Sequence, residues 1–179
     1  MKNPFRRFDD FFIEIINRRM KHRILNVFFY YYTHLCGVIS LVLFNLAMWF
    51  FTTGKLRQVT YQMTLSLLVS SAIVFFLKKI FSRSRPYWII ENLNTYDIDL
   101  NDYSFPSGHT TAAFSIATIF SLNYPALTIV FVVMALLIAI SRVYLAVHYP
   151  TDVLVGIIVG TGTSLLVYFK LYEQVRKFI

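Results

Sequence analysis

Four long stretches of this chain contain no aspartate, glutamate, lysine or arginine: Ile24 to Gly54, Gln58 to Leu77, Tyr103 to Ser141 and Val153 to Phe169. Each is near or above the roughly 20 residues that a helix needs to cross a hydrocarbon core of about 30 Å. A composition that is 57% hydrophobic and only 15% charged falls outside the range of soluble domains, so the bilayer is the expected solvent. In hydrocarbon every backbone polar group must be bonded within its own segment, which favours helices; a barrel would show short alternating strands instead.

The third stretch is too long for one rod. Asn123-Tyr124-Pro125 reads as a turn, because the residue before a proline avoids helical geometry. Five spans follow, at about 27–51, 59–80, 109–122, 126–147 and 152–170. The expected class is all-α: an integral membrane helical bundle of five transmembrane helices, preceded by an N-terminal interfacial amphipathic helix. No repeat, low-complexity tract or linker separates a second domain, so 1–179 reads as one unit, with 1–26 at the interface and 27–170 in the bundle.

At the head of the chain Phe5, Phe8, Phe12, Ile15 and Ile16 recur at helical spacing, with Arg6, Arg7, Asp9, Asp10, Glu14, Arg18 and Arg19 between them. That pattern suits a helix lying in the membrane interface; the plainer alternative is an amphipathic helix packed on another part of the protein. It is too charged to cross and lacks the apolar core and cleavage site of a signal peptide, so it is expected to be retained. The net charge of +8 does not point to nucleic acid, since seven of the seventeen lysines and arginines precede residue 24, where they meet anionic lipid head groups. The lone cysteine, Cys36, permits no intramolecular disulfide. Nothing in the pattern specifies an oligomeric state.

Against this apolar background three polar clusters stand out, because an ionisable residue at membrane depth is costly and is by default a functional candidate. The first, Lys78 to Pro86 (KKIFSRSRP), puts four cations in eight residues at the close of the second span, with Pro86 expected to end the helix. It reads either as a snorkelling basic flank or as a fixed rim for phosphate oxygens. The second, Ser104 to Phe114 (SFPSGHTTAAF), places a hydroxyl, a glycine and free amides at a helix start, with His109 in the first turn. A capping serine beside an interfacial histidine would look the same, but so would an anion site. The third runs from Ser141 and Arg142 through His148 and Pro150 to Asp152. An arginine complementing a helix dipole and a satisfied His-Asp pair are its plain reading.

Topology makes the three converge, since alternate crossings bring the end of span two, the start of span three and the joint of spans four and five to one face. Span three, at fourteen residues, is about 21 Å long, which sets this site below the membrane surface, within reach of a lipid head group.

At these residues the chain resembles the type 2 phosphatidic acid phosphatase superfamily, whose relatives include glucose-6-phosphatase and vanadium haloperoxidases. The family pattern is lysine, six residues, Arg-Pro; then Pro-Ser-Gly-His; then Ser-Arg, five residues, His, three residues, Asp. All eleven positions are present, as Lys78, Arg85-Pro86, Pro106-Ser107-Gly108-His109, Ser141-Arg142, His148 and Asp152. The resemblance implies that His148 attacks phosphorus to form a phosphohistidine, that Asp152 holds its imidazole in the needed tautomer, and that His109 protonates the leaving oxygen and later activates water. Lys78, Arg85, Ser107, the Gly108 amide and Arg142 would bind the phosphoryl oxygens. No cofactor and no metal is required by that chemistry, although a metal held by His109, His148 and Asp152 would be a different use of the same residues.

The implied activity is hydrolysis of a phosphorylated lipid, with undecaprenyl diphosphate, phosphatidylglycerol phosphate and phosphatidic acid as candidates and membrane lipids as the surrounding partners. A vanadate-dependent haloperoxidase or a non-enzymatic protein that binds or transports lipid phosphates would share the anion cage. Arg83 and Lys79 either face lipid head groups or assist a second phosphate, and the acidic segment Glu91 to Asp102 is placed to screen or gate the cations. The protein is expected to be a multi-pass cell-membrane protein. The positive-inside rule puts the site in the cytoplasm, whereas the resemblance implies the extracytoplasmic face, which is preferred because the motif cations are placed by chemistry.

Overall fold

In the computed structural model, which describes residues 3–96, 98 and 100–172, the chain is helical throughout, with no strand among the described residues. The helices are α1 (Pro4–Ile13), α2 (Arg23–Thr33), α3 (Val38–Phe51), α4 (Gly54–Phe81), α5 (Pro86–Ile89), α6 (Gly108–Asn123), α7 (Thr128–Tyr144) and α8 (Pro150–Leu166). α1 runs on into a wider π-helical turn, Glu14–Arg19, and α8 into another, Val167–Leu171.

Helix α6 is the axis, packed against α8, α7 and α4. Small residues allow this. A Cβ on Gly160 would stand 2.4 Å from the Thr111 carbonyl oxygen and one on Gly156 2.9 Å from that of Ser107, so α6 and α8 approach backbone to backbone only because both positions are glycine. Hydroxyls fill the seam: Ser66 and Ser164 lie 2.7 Å apart, Ser115 donates to Ser70 at 3.2 Å, and Ser164 reaches the Ser115 carbonyl at 3.0 Å. In a dry interior such pairs are required, because an unpaired hydroxyl there costs about 1–3 kcal/mol.

The outer helices show the opposite chemistry. α3 exposes Val38, Ile39, Phe50 and Phe51, as a lipid-facing helix does. Among the described residues three helical segments can cross a membrane by length and composition, Gly54–Ile89, Pro125–Tyr144 and Pro150–Leu171, and α2 with α3 makes a fourth if that bent pair is one span. The expected continuous span 27–51 is instead broken: the 3-10 turn His34–Cys36 and Gly37 bend the pair by 53°. Helix α6, at 16 residues, is as short as its sequence suggested.

One further expectation is corrected. Pro86 does not end a helix; α4 stops at Phe81 with Ser82 in the left-handed region (φ 42°), and Pro86 opens α5, where its missing N–H is of no consequence. The N-terminal helix has two unlike faces. It exposes Phe5, Phe8 and Phe11 outward and buries Asp9 and Ile13, with Asn17 buried in the turn that follows, so the side turned to the protein is partly polar.

Candidate active site

The three polar clusters meet at one end of the bundle, and the link between α7 and α8 is their centre. Here the chain turns through Ala146, which is left-handed (φ 54°), and the amides of Val147 and His148 both return to the Arg142 carbonyl at 3.2 Å. The turn drives His148 inward, where it is 2% exposed. Its Nδ1 lies 2.7 Å from the Ser104 carbonyl oxygen. A carbonyl only accepts, so Nδ1 carries the proton and Nε2 presents its lone pair. That lone pair faces Arg85, whose Nη1 is 3.4 Å away. Burial first, and then the positive charges of Arg85, Arg142 and Lys78, hold the imidazole well below the usual histidine range.

Asp152, in the first turn of α8, is fully buried and satisfied on both oxygens. Oδ2 accepts from the Ser104 hydroxyl and, at 2.9 Å, from the Tyr149 amide; Oδ1 accepts from Arg83 at 2.5 Å. Its distance to His148 Nδ1 is 3.7 Å, longer than a hydrogen bond. The expected direct grip of Asp152 on the tautomer is therefore replaced by Ser104, which accepts from the histidine through its carbonyl and donates to the aspartate through its hydroxyl. Ser104 stood in the SFPSGH string without being assigned a part.

His109 differs. It sits in the first turn of α6, is only partly buried, and makes no hydrogen bond to protein among the described residues. Arg142, His148 and Lys78 lie within electrostatic reach of it, so the two rings belong to one pocket. Ser107 caps α6 by accepting from the Thr110 amide at 3.4 Å, and its hydroxyl also pairs with that of Thr110 at 2.9 Å. The capping and the anion-site readings thus describe the same turn. The amides of Gly108 and His109 open the helix and have no carbonyl to bond within it.

The cations are placed as follows. Arg142 is 2% exposed, donates through Nη1 to Thr33 at 2.6 Å, and leaves Nε buried without a partner. Arg85 is 1% exposed and donates to the Val147 carbonyl at 2.6 Å and the Asp102 carbonyl at 2.8 Å. Lys78 and Arg85 both also close on the Asp102 carboxylate, one on each oxygen. Although partial burial opposes it, these two cations push Asp102 down to about 2. The acidic segment proposed to screen the cations thus does so through Asp102, which is 59% exposed; Asp97 and Asp99 lie outside the described residues.

Arg83 is not free for a second phosphate, whereas Lys79 is exposed. Arg83 is engaged by Asp9 and Asp152, and Lys79 lies over the Phe75 ring at 4.3 Å. Thr33 and Asp9 were missed by sequence reasoning, Thr33 because nothing marks it within its apolar run.

The sequence profile described as the PAP2 superfamily matches residues 60–176, which take in all three clusters. The chain belongs to the PAP2 superfamily. It is a membrane lipid phosphatase, a hydrolase of phosphoric ester bonds. It is similar to an undecaprenyl-diphosphatase, BcrC, of Bacillus subtilis, at 25% identity over 80% of this chain and 73% of that protein. Among solved structures it resembles Aquifex aeolicus LpxE, with a TM-score of 0.79 and 28% identity over 88% of this chain and 92% of that one. It also resembles a transmembrane PAP2-type phosphatidylglycerolphosphate phosphatase from Bacillus subtilis, with a TM-score of 0.76 and 26% identity over 99% and 90% of the two chains.

Proposed function

We propose that this PAP2 phosphatase removes phosphate from an isoprenoid diphosphate or a glycerophospholipid phosphate, in a five-span bundle whose site opens on the extracytoplasmic face. The observation that carries the mechanism is the His148 ring: Nδ1 is committed to the Ser104 carbonyl, and the unprotonated Nε2 faces a buried arginine. A phosphoryl group drawn to Arg85 arrives at the lone pair that attacks it.

In the first step His148 Nε2 forms a bond to the terminal phosphorus while the bond to the bridging oxygen breaks; that oxygen, of the lipid alcohol in a monoester or of the lipid monophosphate in a diphosphate, leaves with a proton from His109 where it needs one. In the second, water attacks the phosphohistidine, gives a proton back to His109, and inorganic phosphate departs. Arg142 Nε, the Gly108 amide, Lys78 and Arg85 surround the three equatorial oxygens, where charge accumulates in the transition state. Ser107 contributes by fixing the start of α6. An incoming phosphate must displace Asp102, which holds Lys78 and Arg85 in its absence. The carboxylate offers one charge to two cations, and a phosphate dianion offers two.

The depth of the site suits a head group whose chain stays in the bilayer, because α6 spans about 24 Å. The test is a substrate panel in detergent: a long-chain isoprenoid diphosphate, phosphatidylglycerol phosphate, phosphatidic acid and a soluble phosphate ester, with and without chelator. Release of phosphate from the lipids well above the soluble ester, unaffected by chelator and absent in His148→Ala, is expected. Loss of activity in chelator would replace the phosphohistidine route with a metal one. Labelling of a cysteine placed at residue 96 by an impermeant reagent from the outside, in intact cells, is the expected result for the orientation.

A further inference from the structure

Asp9 is 1% exposed on a helix that otherwise presents phenylalanines outward, and it is not one of the motif residues. Its carboxylate accepts three contacts from two residues. Oδ1 takes the Thr151 amide at 2.9 Å; Oδ2 takes the Thr151 hydroxyl at 2.8 Å and Arg83 Nη2 at 2.7 Å, the last also an ion pair. Arg83 in turn donates through Nη1 to Asp152 Oδ1 at 2.5 Å and to the Thr151 hydroxyl at 2.8 Å, and its guanidinium lies 3.8 Å from the centre of the Tyr149 ring. The Arg83 carbonyl accepts from the Ser104 amide at 2.8 Å. Every partner of Asp9 is thus one step from Asp152 or Ser104, the two groups that orient His148.

We infer that Asp9 and Arg83 form a positioning clamp for the reaction: the N-terminal helix supplies, through Asp9, the carboxylate that fixes the Arg83 fork against Asp152. The physical case rests on geometry. A planar guanidinium with one nitrogen on each of two carboxylates has a single orientation, and the Tyr149 face and the Thr151 hydroxyl leave it no other. With Arg83 fixed, Asp152 must turn Oδ2 toward Ser104 and the histidine. Without Asp9 the fork is held at one end only. The Asp152 carboxylate then gains a rotation, Ser104 follows, and His148 Nε2 loses its aim. A misplacement of the order of 1 Å at a nucleophile costs about a hundredfold in rate. Neither residue touches the reacting atoms.

This inference rests on His148 being the nucleophile, and the experiment separates the two. Full-length Asp9→Asn, Asp9→Glu, Thr151→Val and His148→Ala enzymes are compared with the parent in one detergent for kcat, KM, Tm and the rate of phosphoenzyme formation after rapid mixing. Asp9→Asn keeps the size of the side chain and removes the charge. It should lower kcat ten- to a hundredfold, slow phosphoenzyme formation by the same factor and leave KM within twofold, at a temperature where the variant is folded. Asp9→Glu should recover part of that loss. A lowered Tm with kcat unchanged would reduce Asp9 to a structural anchor, and a raised KM with kcat unchanged would make Arg83 a substrate contact; either result overturns the clamp. If Asp9→Asn does not fold, Thr151→Val, which removes one hydroxyl from the clamp and keeps the ion pair, decides alone: a kcat about threefold lower supports it and an unchanged kcat sinks it. Phosphatase activity surviving in His148→Ala would defeat the nucleophile assignment instead, and the clamp with it.

Discussion

The two histidines of the site sit in opposite surroundings. His148 is buried to 2% exposure in a link where residues 141–150 are all buried, and its Nδ1 is committed to a carbonyl. His109 stands in a helix's first turn, partly open, with no protein partner among the described residues. The difference matches the two kinds of work that the proposal gives them. A nucleophile must present one lone pair in one direction and stay neutral, which calls for burial and a fixed tautomer. A group that gives a proton and then takes one must meet the leaving oxygen and later a water, which calls for access and no competing partner.

The largest effect expected follows from that contrast. His148→Ala should abolish turnover of every phosphate ester, by a factor on the order of 10³ or more, whatever the leaving group, because the bond to phosphorus has no other donor. Measured phosphate release from both a lipid phosphate and an aryl phosphate checks this. His109→Ala should lose about 10²–10⁴-fold on the lipid; on the aryl ester, whose leaving oxygen needs no proton, it should spare formation of the phosphoenzyme and slow only its hydrolysis by water. If both variants respond equally to leaving-group acidity, the division of labour between the histidines is wrong.

The contrast also depends on a distance that neither histidine controls. His109 starts α6, Asp152 starts α8, and the Ser107 amide donates to the Asp152 carbonyl at 3.1 Å where the two helices begin. Gly160 and Gly156 set that approach from below. Gly160→Val would place a branched side chain against the Thr111 carbonyl, 2.4 Å from where its Cβ must go, and the neighbour is backbone that cannot swing aside. A loss of about 1–3 kcal/mol in stability is expected, read as a lower Tm, together with a fall in kcat. Gly162, whose Cβ would meet nothing within 4 Å, is the control: Gly162→Ala should leave both unchanged.

A smaller effect tests the open side of the pocket. Asp102 holds Lys78 and Arg85 in the absence of substrate, so Asp102→Asn should lower KM for the phosphorylated lipid several-fold and sharpen inhibition by inorganic phosphate. An unchanged KM would mean that phosphate binds beside Asp102 and does not replace it.

What the sequence could convey follows from the range of each interaction. The long uncharged runs are local, and the all-helical class is legible from them alone. The motif spacings are local as well, so Lys78, Arg85, Ser107, Gly108, His109, Arg142, His148 and Asp152 could all be named, and the fold does bring them to one end. Contacts between distant segments left no mark. Thr33 lies 109 positions from the Arg142 it anchors, and Asp9 is 142 positions from Thr151. The break at His34–Cys36 was hidden inside an apolar run that hydropathy reads as continuous. Pro86 was misjudged because a proline that stops one helix and a proline that starts the next look alike, and only the four loop residues from Ser82 to Arg85 distinguish them.

The smallest effect expected is on pH, and it separates the buried ring from the exposed carboxylate. His148 is held well below its usual range by burial and by the cations around it, so at mildly acid pH the unfolded chain binds a proton that the folded chain refuses. Stability on this account is full above about 6.5 and falls as pH drops below it, by up to about 1.4 kcal/mol for each pH unit until the folded value is reached. Asp102 is pushed down to about 2, so its contribution is present above about 4 and is lost only as pH falls from there toward 2; at 59% exposure it is also weakened by solvent and salt. Tm measured between pH 7 and 5 should therefore decline in the parent, decline less in His148→Asn, and decline as in the parent in Asp102→Asn. A slope in His148→Asn as steep as the parent's would show that this ring is not the group refusing the proton.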